Sequence, residues 1–153
     1  MRYRPVAAVP TLCLILSTGL SLYSQAAPMD SASESRGGAA CVVAKKLGNS
    51  LDLAWIIGAP SVDDAINQAK KTLRQRGHPH VFAQANSHQT HGWMVILKTQ
   101  YLNARGRSRT SYGCGFSPLS AASAEQNAVS DLRSYSWGWR PEFGYQIIEI
   151  QSY

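Results

Sequence analysis

Apolar residues recur at helical spacing twice along this chain, each time flanked by stretches that cluster or alternate as strands do. Val62, Ala65, Ile66, Ala69 and Leu73 fall at i, i+3, i+4, i+7 and i+11, which is one face of a helix. Ser61 precedes them as an N-cap, and Asp63 and Asp64 suit the positive end of the helix dipole. Gly77 follows Arg74 and Arg76 as a stop. From Ser120 a second segment carries Ala124, Ala128 and Leu132 at the offsets of Ala65, Ala69 and Leu73, and Arg133 follows its leucine as Arg74 does. The spacing predicts two helices related by an internal repeat.

The flanks repeat too. Residues 51–57 read as a strand ending at Gly58-Ala59-Pro60, and residues 107–116 as a strand ending at Ser117-Pro118. After the helices come matching strands at 92–97, running on to Leu102, and at 144–148. Asn103-Ala104-Arg105-Gly106 has hairpin chemistry and joins the strand at 93–102 to that at 107–116. The order is β-α-β, hairpin, β-α-β. The expected class is therefore α+β: a two-layer sandwich of the ferredoxin-like split kind, βαββαβ, with both helices on one face of a mainly antiparallel sheet. Residues 40–46 add an extra N-terminal strand, joined to the strand at Leu51 by Leu47-Gly48-Asn49-Ser50. In the ideal arrangement the next strand is central and offers this one no free neighbour, so its place in the sheet stays open.

The beginning of the chain follows a different pattern. Met1-Arg2-Tyr3-Arg4 precedes an apolar run from Val6 to Leu22, and Ser24-Gln25-Ala26 fits the small-x-small pattern of a cleavage site. Pro10 and Gly19 break the run, which falls short of the ~20 predominantly apolar residues of a spanning helix. Residues 1–26 are expected to be a cleaved secretory signal, 27–39 a small polar linker, and 40–153 one exported domain, periplasmic or secreted. No membrane span is expected once the signal is gone. Cys13 leaves with it, so Cys41 and Cys114 remain as a disulfide pair in an oxidising compartment.

Charge adds a direction. Of the 15 Lys and Arg, Arg2 and Arg4 lie in the signal, leaving thirteen against nine Asp and Glu. From Ala65 through Ala124 there is no Asp or Glu, and Arg105, Arg107 and Arg109 alternate at the hairpin. Such a bias suits an acidic protein partner or an anionic surface. Nucleic acid is not expected, because no recognition motif accompanies the charge. Trp137 and Trp139 would point the same way in an extended loop, beside Arg140. Aromatics and Arg of this kind carry binding energy at recognition surfaces, but loop aromatics also lid the ends of small cores.

The four histidines, His78, His80, His88 and His91, form an all-nitrogen set that would suit zinc or copper. Against a metal site stands the plainer reading of a polar connection, with no Cys or carboxylate nearby in sequence. No phosphate loop, serine-nucleophile elbow or His-Glu-x-x-His pattern occurs, so there is no catalytic signature and no cofactor apart from that candidate metal. What remains is an exported, non-enzymatic protein that recognises another extracytoplasmic protein, inhibition included, or an anionic surface. Its expected contact residues are Arg105, Arg107, Arg109, Trp137, Trp139 and Arg140. The alternative is a periplasmic metal-binding protein built on the histidines.

Overall fold

Leu47 and Gly48 both take left-handed backbone angles, φ 51° and 75°, which is what a two-residue hairpin turn of matching twist requires. They join strand β1 (Gly38–Lys46) to β2 (Asn49–Ala59). Helix α1 (Val62–Gln75) and strand β3 (Val81–Ser87) follow; then β4 (Trp93–Leu102), β5 (Ser108–Ser117), helix α2 (Ala121–Tyr135), a single 3-10 turn (Pro141–Phe143) and β6 (Gln146–Ser152). This computed structural model describes residues 37–153. The expected signal at 1–26, Cys13 and all but the last three residues of the 27–39 linker lie outside the described residues. None of the described helices is long and apolar enough to cross a membrane.

Both helices start and bury as their sequences dictate. The Ser61 hydroxyl accepts from the Asp64 amide and donates to the Asp64 carboxylate, at 3.1 and 2.7 Å. Ser120 accepts from the amide of Ser123. Ala65, Ala69 and Leu73, and their repeats Ala124, Ala128 and Leu132, are all fully buried.

The strands form two antiparallel sheets, ordered β2-β1-β3 and β5-β4-β6, where one sheet carrying both helices was expected. The difference comes from β3. Residues 81–87 are mostly exposed or half-buried and carry little apolar signal, yet they pair with β1 along its length. With β3 in place the repeat unit is a hairpin, a helix and a returning strand, ββαβ, used twice. The supposedly extra strand β1 is the central strand of its own sheet, as β4 is of the second.

Alternation along the strands then builds four layers. Val42, Ala44 and Ala54 face α1 with Ala69 and Leu73, and Val95 and Leu97 face α2 with Ala124 and Ala128. The intervening residues point the other way. Cys41, Val43 and Leu53 of the first sheet meet Met94, Ile96 and Cys114 of the second in one shared core. The helices thus lie on the two outer faces, and the sheets pack through their inner ones. Gly113 and Gly115 let α2 approach β5, since a Cβ at Gly115 would fall on the Ala124 carbonyl oxygen. Cys41 and Cys114 are disulfide-bonded across the sheets with Cα atoms 6.4 Å apart, as expected.

The two halves meet at the crossover between them. Gly37 sits against Gln89 and Thr90. Tyr153 exchanges two backbone hydrogen bonds with Gly92, at 2.7 and 2.9 Å.

Candidate functional site

The hairpin between β4 and β5 is held by Asn103, whose side-chain oxygen accepts from the amides of Arg105 and Arg107, each at 3.0 Å. That leaves the side chains of Arg105 and Arg107 exposed at the tip. Arg109 is half-buried and fixed, because its guanidinium donates to the carbonyl of Leu47 at 2.7 Å. The Asn49 side-chain oxygen accepts from the amide of Thr110, so the two hairpin ends of the molecule are locked side by side.

Trp137 comes to the same place from just beyond the C-terminal end of α2. Together with Gly138 it closes a concavity of about 340 Å³ whose other walls are Asn103, Ala104, Arg105, Arg107 and Arg109. The two segments that sequence reasoning picked separately are thus adjacent in space. Trp137 is 102% exposed and packs on none of the described residues, whereas Trp139 is 7% exposed. The Trp139 ring packs on Tyr101 and Leu132, and its indole N–H donates to the Gly144 carbonyl at 3.1 Å. The expectation that both rings point the same way fails because the segment turns: the Trp139 amide donates to the Ser136 carbonyl at 2.9 Å. Trp139 lids the core and Trp137 does not. Arg140 is exposed but does not line the concavity.

Two residues of this end carried no sequence signal. Leu47 and Leu102 are 87% and 62% exposed, beside Arg109 and before the hairpin. A left-handed non-glycine residue such as Leu47 costs roughly 1–2 kcal/mol, and the Arg109 guanidinium holds it there. Among the described residues, Arg105, Arg107 and Arg109 form no salt bridge. This end therefore offers unpaired positive charge and bare apolar surface together.

The histidines do not converge. His78 and His80 precede β3 and His88 and His91 follow it, so a seven-residue strand holds the pairs roughly 20 Å apart at ~3.3 Å per residue. His78 is already engaged, 3.3 Å from the Asp52 carboxylate that Arg76 also contacts. Among the described residues no three His, Cys, Asp or Glu side chains gather as metal ligands.

A different carboxylate stands out. Asp131 on α2 lies in a cleft of about 740 Å³ between β3, β5 and α2. Burial pushes its carboxyl up to about 6, while hydrogen bonds from Gln84 and the Cys114 amide and the charge of Lys45 pull the other way. Both bonds, 2.7 and 2.8 Å long, end on the same oxygen, Oδ2. Gln84 also donates to the Tyr112 carbonyl at 2.7 Å, and Asn127 to that of Phe116 at 2.8 Å. With Asn49 on the Thr110 amide, four side chains occupy the outer edge of β5. Perturbed carboxylates in clefts are candidates for chemistry, but the bonds of this one serve that strand edge. Lys45, its cationic neighbour, lies 4.8 Å over the Tyr135 ring, and burial lowers its pKa.

Comparison with known protein families, curated sequences and solved structures returns no match for this chain.

Proposed function

We propose that this chain is an exported, non-enzymatic binding protein that recognises an acidic face of another protein outside the cytoplasm. The observation that carries this is the meeting of Trp137 with Arg105 and Arg107 around one concavity. A tryptophan fully exposed on its own domain contributes nothing to that domain's packing. On a partner it would be desolvated, and a buried Trp at a hot spot is worth about 2 kcal/mol or more. The unpaired guanidinium groups beside it would speed encounter with a negatively charged surface. Arg109 and Trp139 support the site by position, and Arg140 adds charge at a distance. Export is consistent with the Cys41–Cys114 disulfide, since such bonds persist in oxidising compartments.

The test is capture from the exported proteins of the same cell, using the wild-type protein and two variants side by side, Trp137→Ala and the double variant Arg105→Ala/Arg107→Ala. A partner retained by wild type should be lost by Trp137→Ala through faster dissociation. The double variant should bind it more slowly, with a weaker dependence on salt. Both variants should melt as wild type does. A partner held equally by all three proteins would place the contact elsewhere.

A further inference from the structure

The two edges of the β5-β4-β6 sheet are treated in opposite ways. Along β5, the Thr110 amide, Tyr112 carbonyl, Cys114 amide and Phe116 carbonyl are each bonded by a side chain. Such capping blocks the addition of another strand. Along β6 no side chain of the described residues caps a backbone group. Its pairing with β4 starts from the doubly bonded pair Gly92–Tyr153, and bonded and non-bonded pairs alternate from there to the Ile96–Glu149 pair, beyond which the register shifts by a residue. Ile150 and Ser152 therefore turn their N–H and C=O groups away from β4.

The side chains of the same strand are apolar and uncovered. Ile147, Ile148 and Ile150 are 43%, 42% and 49% exposed. Ile147 lies opposite Leu97 and Ile150 opposite Val95, both of which face α2. The helix stands over β5 and β4, so the two isoleucines continue its apolar floor outward, each about half exposed.

We propose that β6 pairs antiparallel with β6 of a second copy of this chain, with the two-fold axis through Ile150. The strand is self-complementary in one register, with its outward backbone groups met and no like charges opposed, which favours a second copy as its occupant. Residues whose backbone groups point outward must meet each other, and Ile150 facing its own copy satisfies that. Ile148 then faces Ser152 of the second copy. Glu149, the strand's one charge, faces a neutral Gln151. Centring on Glu149 instead would set two carboxylates directly opposite, which is destabilising. A two-fold axis normal to the sheet keeps both copies of α2 on the same side. Ile147 and Ile150 of the two chains then fill the space between the helices, and the sheet grows to six strands. The strip is one strand wide on each copy, so a weak dimer that fills only at high concentration is expected.

Sedimentation of the purified, disulfide-intact protein over a wide concentration range tests this. A reversible monomer–dimer equilibrium is expected. Hydrogen exchange at the Ile150 and Ser152 amides should slow as the dimer fills, while the amides of β3, an edge strand outside this pairing, exchange at an unchanged rate. Ile150→Lys places two ammonium groups together at the axis and should weaken the dimer at least tenfold without lowering the melting temperature of the monomer. A protein that stays monomeric at several hundred micromolar overturns the proposal. So does a dimer in which the Ile150 and Ser152 amides gain no protection, a measurement that needs no variant.

Discussion

Replacing Asp131 with Asn should abolish a pH dependence of stability rather than simply weaken the fold. Folding raises the pKa of this carboxyl from 3.8 to about 6, chiefly through burial. The protonated form is therefore the one the native state prefers. Stability from this group is complete below about pH 4 and is lost as pH rises through about 6. Favouring the protonated form to that extent corresponds to about 3 kcal/mol, and partial access to the cleft brings this nearer 2. The hydrogen bonds explain why Asn suits the position. Oδ2 accepts from both Gln84 and the Cys114 amide, which leaves Oδ1 to hold the proton. Asn presents one acceptor oxygen in the place of Oδ2 and an uncharged amide in the place of Oδ1. Urea unfolding of both proteins at steps from pH 4 to 8, disulfide intact, gives the comparison. Asp131→Asn should equal wild type within about 1 kcal/mol at pH 4 and exceed it by about 2 kcal/mol at pH 7. Groups common to both proteins cancel in the difference. Parallel profiles would refute the assignment of a raised pKa to Asp131. A variant weaker than wild type at pH 4, whose difference still shifts by about 2 kcal/mol in its favour by pH 7, would show that Asn cannot keep the two bonds.

Trp139→Ala should destabilise the isolated protein by about 3 kcal/mol or more, as loss of a buried Trp does; Trp137→Ala, at a fully exposed ring, should leave the melting temperature unchanged. Gly115→Ala should cost about 1–3 kcal/mol, because its methyl group meets the Ala124 carbonyl and pushes α2 off the sheet; a wild-type melting curve would show that the helix shifts freely. Removing the disulfide with Cys41→Ala/Cys114→Ala should lower stability by about 2–4 kcal/mol, measured by urea unfolding, since the bond joins residues 73 positions apart.

The elements legible in the sequence were those whose burial follows a single period. Ala65, Ala69 and Leu73, and their repeats, lie under helices that cover a sheet, so the 3.6-residue pattern is clean and the buried set matches it. The disulfide followed from counting cysteines. Strand β3 was hidden because an edge strand buries little: only Gln84 within it is buried, and that residue is polar. Missing β3 shifted the repeat by one strand and merged two sheets into one. It also made the flanking histidines look continuous, when β3 keeps them apart. At the candidate site the two segments were legible but their meeting was not, because it depends on the path of α2. The opposite fates of Trp137 and Trp139 rest on a turn at Ser136 that residue spacing does not reveal. Asn127 and Asp131 offered a missed signal. They stand one helical turn apart on α2, and both reach the edge of β5.

Gly37 against Thr90, and Tyr153 bonded to Gly92, bring the domain's point of entry, its internal crossover and its point of exit to one pole. Strand β4 runs ten residues from that pole, so Trp137 and the arginine tip lie about 30 Å away at the other. A carrier, dye or surface attached through residue 37 or 153 therefore leaves the tip facing open solvent, which suits immobilisation for binding measurements. The same geometry lets the chain be circularly permuted. Joining 153 to 37 through a short bridge and opening the backbone between 88 and 91 would reverse the order of the halves, yet every strand pair of both sheets would survive.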